Sequence, residues 1–400
     1  MAKVLIFIWV VSLPGLAIAQ ESMPPYLQEL IEEAHSKKFH QERYWHLLLH
    51  YKKNLLSGYT SEVDDPGFFL SPNGKTNPEE ELEATLSKFF SDELLGRPKQ
   101  PAQCAFSARY HWLKEKLHFD ESRLRPHRCE ALRRWLEELR PASITLIFPS
   151  AYMGNPASMF GHSFLRVDQE GQTAETRILA YTINYAAETP PDAGIEFAFK
   201  GVFGGYKGFF STIPYYLKVQ EYRDIENRDI WEYRLNFSQE QILRLLRHSW
   251  ELGNGYFDYY FFKENCAYHI LSLLEVASPQ LHLTDQFHFW TIPADTIRLL
   301  IRQEGLVGDV VYRPARSTQL KRKREVLNDA EFSLIDQLIR DPRVAEQPQF
   351  LTLAQTNRAF LLDVASDYLR YKSLTDSDNA ERYKTKTRSI LIQRSHIRIP

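Results

Sequence analysis

The period of the apolar positions changes twice along the chain. Tyr44, Leu47, Leu48 and Tyr51 recur at helical spacing within a polar stretch over 23–57. Pro66-Gly67 and Ser71-Pro-Asn-Gly74 then signal turns. Residues 78–95, 106–118 and 130–139 read as further helices, so the first part of the chain is predicted to be helical. From Ser143 the pattern becomes that of strands. Residues 143–149, Ser-Ile-Thr-Leu-Ile-Phe-Pro, read as a buried strand, and strands follow over 163–168 and 177–187. Over 229–237, Trp231, Tyr233, Leu235 and Phe237 alternate with Glu232, Arg234 and Asn236. That period of two is the mark of a half-buried antiparallel strand.

Helical spacing returns at Ser238, which with Gln241 makes a capping-box signature. Ile242, Leu245, Leu246 and Trp250 share a face, and Gly253 stops the helix. Asn265 is a natural N-cap for the next helix. Its apolar stripe is Ile270, Leu273, Leu274 and Ala277, with Pro279 just past its end. Residues 293–303, 329–340 and 350–373 complete the predicted helices. The arginine-rich stretch 388–398 reads as a linker. The predicted class is α+β: an antiparallel sheet, a helix packed on it that begins at Cys266, and helical extensions at both ends. The expected segments are 1–19, 20–140, 141–315 and 316–400.

Composition narrows the function. The 400 residues are 44% hydrophobic and 25% charged with a net charge of −2, an ordinary globular balance. The only short basic tract is Lys321-Arg-Lys-Arg324, so nucleic acid is not an expected partner. Aromatics reach 13% and crowd into 197–262, as either a thick core or a lipid-facing groove requires. At the N-terminus, Lys3 precedes a nearly unbroken apolar run from Val4 to Leu13. Pro14-Gly15 breaks it, and Ala17-Ile-Ala19 offers a small-x-small cleavage site. Residues 1–19 are therefore expected to be a secretory signal peptide, too short to span a bilayer comfortably. The expected location is the periplasm, with membrane association open.

That compartment changes the reading of the cysteines. In an oxidising environment Cys104 and Cys129 are expected to pair, leaving Cys266 as the odd thiol. A free cysteine is ordinarily a buried, inert residue. Cys266, however, follows a capping asparagine, and a helix N-terminus favours thiolate over thiol. His162, at a glycine turn entering a strand, offers an imidazole, although a turn histidine is the ordinary reading. Thiol and imidazole make a nucleophile and base. His269, three residues after Cys266, is a rival base. Gly201–Gly208 holds four glycines among Phe203, Tyr206, Phe209 and Phe210. It reads as either an aromatic lid or a tight structural turn, and it lacks the Gly-Lys-Ser/Thr ending of a phosphate loop. No histidine and carboxylate set has zinc-ligand spacing, so no cofactor or metal is expected.

Several motifs occur in a recognisable order. They are Asn155-Pro-Ala-Ser-Met-Phe-Gly-His-Ser-Phe-Leu-Arg-Val-Asp168, Tyr181-Thr-Ile-Asn-Tyr-Ala-Ala187, Phe199-Lys-Gly-Val-Phe-Gly-Gly-Tyr206, Pro214-Tyr-Tyr-Leu-Lys-Val-Gln-Glu-Tyr222 and Glu264-Asn-Cys-Ala-Tyr268. Together, from about Cys104 to Arg313, they resemble the Lnb N-terminal periplasmic domain family. The resemblance implies a permuted papain-like fold, akin to NlpC-type and lecithin:retinol acyltransferase-like thiol enzymes, in which the histidine precedes the cysteine. It implies lipoprotein N-acyltransfer, with a phospholipid or lipoprotein substrate and a membrane surface as partners. Carried onto this chain, Cys266 is the expected nucleophile and His162 the expected base. Asn184 is the expected orienting group, with Asp168 as its rival. An NlpC-type cell-wall amidase or peptidase, and a non-enzymatic envelope-binding domain, are the alternative functions.

Overall fold

The computed structural model describes residues 23–151, 161–173, 175–188 and 200–398. The expected signal peptide and residues 155–160 of the histidine motif lie outside the described residues. The N-terminal part contains helices α1 (Pro25–Ser36), α2 (Pro78–Phe89), α3 (Ser107–Leu117) and α4 (Glu130–Leu139). Asn77 caps α2 by accepting from the backbone of Glu79 and Glu80, with Pro78 at the first helical position. The helix expected over 23–57 is interrupted. Its last residues, Tyr51–Lys53, pair instead with Tyr59–Ser61 as a hairpin. Cys104 and Cys129 form the expected disulfide.

The class is α+β. Seven strands make one antiparallel sheet: β1 (Pro141–Pro149), β2 (Phe164–Gln169), β3 (Tyr181–Glu188), β4 (Tyr206–Pro214), β5 (Ile230–Leu235), β6 (Phe257–Tyr259) and β7 (Val307–Arg313). Their spatial order is β6-β4-β3-β2-β1-β5-β7. The register sets Tyr233 opposite Leu146, Leu146 opposite Leu165, and Leu165 opposite Ile183. That row lies on one face, because successive residues of a strand point to opposite sides. It packs against α5 (Gln239–Leu252) and α6 (Cys266–Ala277) in one core that also takes in Leu27, Trp45 and Leu82. The other face buries Ile147, Phe164 and Ile230 with Tyr215, Val219 and Tyr222. It also buries an ionic cluster. Arg166 meets Asp168 at 2.5 Å and Glu232 at 2.7 Å, and the Tyr215 hydroxyl donates to Glu232 at 3.0 Å.

Both central helices start as their sequence expects. Ser238 and Gln241 form a reciprocal capping box at α5. Asn265 Oδ1 accepts from the backbone of Ala267 at 3.0 Å and Tyr268 at 3.3 Å at the start of α6. Every residue of α6 is buried, not only its predicted stripe. The reason is tertiary. The sheet covers one side, while the N-terminal part covers the other, as in the bond from Arg43 to the Leu281 carbonyl at 2.8 Å. Helix α7 (Pro293–Arg302) precedes β7. The C-terminal helices α8 (Asp329–Arg340), α9 (Gln355–Thr375) and α10 (Ala380–Ser395) pack around their own core of Ile335, Leu338, Leu361, Leu362 and Ile390. The stretch expected as a linker is therefore largely α10. Its sparse apolar residues gave little helical signal, yet Ile390 docks on α9 and α8.

Candidate functional site

Cys266 is the free cysteine, at the first turn of α6, and is 2% exposed. A cleft of about 220 Å³ opens onto it, lined by Gly161, Tyr259, Phe261, Phe262, Trp290 and Ile292 among others. Asn265 fixes this helix start twice. Its oxygen caps α6, and its Nδ2 donates to the carbonyls of Phe261 at 3.0 Å and Thr291 at 2.7 Å. The thiol thus sits where the 261–268 segment and the segment at Thr291 are tied to one side chain.

Burial pushes the Cys266 thiol up from its ordinary value. The backbone N–H of Ser163, the Tyr259 hydroxyl, the Ala267 N–H and the charge of Arg228 pull it back without prevailing. The expectation of a thiolate-favouring seat is therefore only half met: the helix start and its N–H donors act as expected, but desolvation outweighs them. Tyr259 has a double contact. Its hydroxyl also accepts from the Cys266 backbone N–H at 3.4 Å.

His162 lies at the same end of the sheet. Its neighbours on either side in sequence, Gly161 and Ser163, line the cleft and act on the thiol respectively. The ring itself lies 5.9 Å from Phe164 and 5.9 Å from Tyr222, centroid to centroid. It keeps some solvent contact, yet its surroundings desolvate it. Burial foremost, then Lys218 and Arg228, hold the imidazole down at about 3. No hydrogen bond joins His162 to Cys266 among the described residues. Tyr222 borders both: its ring lies tilted beside that of His162, and the Cys266 charge helps push its hydroxyl up, after burial and Glu221. Arg228 is 4.8 Å from the Tyr222 ring and is fixed by the Pro149 carbonyl at 3.0 Å and the Ser150 carbonyl at 2.5 Å.

Asn184 is buried on β3 and donates to Thr182 Oγ1 at 2.5 Å. Its Oδ1 has no partner among the described residues. No bond links it to His162. Asp168 is held at the far end of β2 by Arg166 and Thr145. His269 is fully buried among rings, 4.2 Å from Tyr185 and 4.3 Å from Phe257, and turns away from the cleft lining. The aromatic loop is divided. Tyr206 and Phe210 are buried on β4 while Phe203 is exposed. A Cβ at Gly208 would lie 2.1 Å from the Tyr185 hydroxyl, and one at Gly201 2.2 Å from the Phe261 ring, so these glycines serve close packing. Among the described residues no group of three or more His, Cys, Asp or Glu is placed to hold a metal ion.

Tyr259, Tyr222 and Arg228 were not singled out as site residues from sequence. Tyr222 stands inside a quoted motif, which is a usable signal. Arg228 has none, since its place beside the thiol depends on the β1–β5 edge.

The fold and cleft define an α+β domain with a single buried thiol at the capped start of its central helix. Residues 131–303 match the Lnb N-terminal periplasmic domain family. Residues 37–116 and 310–400 match two domains of unknown function, DUF7843 and DUF7842. No curated protein and no solved structure matches the chain. The family match indicates a periplasmic, envelope-related role. Among the described residues no helix is long and apolar enough to cross a membrane.

Proposed function

We propose that the chain is a cysteine-dependent acyltransferase that moves an acyl chain through a thioester on Cys266, with a lipoprotein N-terminus as acceptor. The observation that carries the reading is the cleft itself: its one thiol lies at a capped helix start, and its walls are largely Phe261, Phe262, Trp290, Ile292 and Pro293. Apolar walls suit an acyl chain better than a cell-wall peptide, which favours transfer of lipid over the amidase alternative.

At rest the thiol is raised and the imidazole depressed, so both groups are neutral. In this reading His162 takes the thiol proton as Cys266 attacks an acyl ester carbonyl. That step requires substrate binding to bring the imidazole to the thiol and to raise its basicity, because the resting site holds it far below the thiol. The carbon–sulfur bond forms, the ester carbon–oxygen bond breaks, and the departing alkoxide takes the proton from His162. An amine then attacks the thioester and the thiol is restored. The Cys266 backbone N–H and the Tyr259 hydroxyl stand beside the position where the oxyanion develops. In this reading Asn184 serves as orienting residue for His162, which requires its amide to leave Thr182.

Incubation with phospholipid, followed by intact-mass and peptide analysis, is expected to show an acyl adduct on Cys266 that hydroxylamine removes. Cys266→Ala is expected to lose adduct and product while keeping its melting temperature. Full activity in Cys266→Ala, or release of wall peptides without any adduct, would refute the acyltransferase.

A further inference from the structure

Phe262 and Trp290, which line the cleft, and exposed apolar residues on the segments beside them make an apolar surface. Phe289 is 80% exposed, Trp290 68%, Phe203 66%, Phe262 44% and Val202 41%. These residues come from three separated segments that the backbone ties together. The Phe261 N–H donates to the Gly201 carbonyl at 2.7 Å, and the Thr291 N–H to the Phe262 carbonyl at 2.6 Å. Asn265 Nδ2 then binds the carbonyls of Phe261 and Thr291. Exposed aromatics are thus carried on segments whose backbone groups are partly paired inside the protein.

We propose that this rim docks the domain on the lipid surface of a bilayer, with the cleft facing the lipid. The inference rests on the acyl-transfer reading for its purpose, but its evidence is the rim. Tryptophan and phenylalanine favour the boundary between headgroups and acyl chains. Entry into that layer penalises unpaired backbone N–H and C=O groups, and here those of the rim's crossing points are satisfied internally. Lys263 and Glu264, paired at 2.8 Å next to Phe262, put a charged edge beside the aromatics, where headgroups lie. Trp290 both faces outward and lines the cleft. A lipid ester at the surface therefore reaches Cys266 along one continuous apolar path.

The test is vesicle binding by the mature chain. Vesicles of phosphatidylcholine alone are expected to co-sediment with it. The tryptophan emission is expected to shift to the blue and to be quenched by brominated acyl chains. Phe289→Ser combined with Trp290→Ser is expected to weaken partitioning by at least about tenfold, each lost aromatic contributing part of its burial free energy. Both side chains are solvent-exposed, and an unchanged circular dichroism spectrum would show the fold intact. Trp290→Phe alone is expected to keep binding but lose most of the emission shift. Four results would overturn the proposal: no vesicle binding, binding unaffected by the double substitution, binding abolished by high salt, or a dimer that hides Trp290 from an aqueous quencher. Cys266→Ala separates this inference from the preceding one. It is expected to bind vesicles normally while forming no adduct. In the unsubstituted chain, vesicle binding with no acyl adduct on Cys266 would sink the chemistry alone, and an adduct formed without vesicle binding would sink the docking alone.

Discussion

Burial and hydrogen bonding act on Cys266 in opposite directions, and Tyr259 is the side chain best placed to change their balance. Its hydroxyl accepts from the Cys266 N–H and also favours the thiolate. Tyr259→Phe removes that group and leaves the ring stacked on Tyr185, 5.5 Å away. The thiolate loses a donor, so its pKa moves further up. Alkylation of Cys266 by iodoacetamide at fixed pH is expected to slow roughly tenfold, the worth of one charge-assisted hydrogen bond. The measurement is clean because the other two cysteines are joined in a disulfide. An unchanged rate profile across pH would show that the hydroxyl does not touch the thiolate. The place of Cys266, an unpaired thiol at a capped helix start, was legible in the sequence because cap, cysteine count and helical stripe are local signals. The depressed imidazole and the raised thiol were not, since both depend on what surrounds them in space. Arg228 shows the same limit: it acts on both groups from a strand edge that no local pattern announces.

At the level of the element, α6 is set by one asparagine. Asn265 satisfies two helix N–H groups, the carbonyl of Phe261 one turn upstream and the carbonyl of Thr291 from a distant segment. Asn265→Ala is expected to cost about 2–4 kcal/mol, from a lost cap near 1 kcal/mol and buried carbonyls left unpaired. Asn265→Asp keeps the cap acceptor and loses the donors, so its cost separates the two contributions. Urea unfolding reads both, and a loss under about 1 kcal/mol in the alanine variant would mean that the clamp on Thr291 and Phe261 carries no weight. The capping boxes, the alternation over 229–237 and the turn glycines made α5, α6 and β5 readable from sequence. The hairpin at Tyr51–Lys53 and helix α10 were misread because tertiary pairing overrides weak local preference there.

The whole molecule is held by a core that carries ionisable groups with no counterpart in the sequence pattern. Arg109 is fully buried, 2.9 Å from Glu81, and its backbone N–H donates to Glu251 at 2.9 Å. His50 and His248 meet at 3.0 Å, and the His50 ring lies 6.4 Å from that of His269. Burial depresses His162 and His248 to about 3, and His50 and His269 well below 6.5. The unfolded chain therefore binds more protons than the fold from pH 6.5 down to about 3, and stability falls as pH falls through that window. Burial raises Glu62 and Glu251 to about 7 from 4.5. For them the fold binds more protons, and stability falls as pH rises from 4.5 to about 7. The two sets oppose each other between 4.5 and 6.5. Below 4.5 the two glutamates contribute no further change, and each histidine still neutral in the fold costs about 1.4 kcal/mol per pH unit without that offset. Two glutamates offset only two of the four histidines, so the melting temperature is expected to fall gently as pH falls from about 6.5 to 4.5 and more steeply between 4.5 and 3. A decline of the same slope above and below pH 4.5 would show that the glutamates are not raised. A melting temperature that holds to pH 3 would show that the histidines are not kept neutral by the fold.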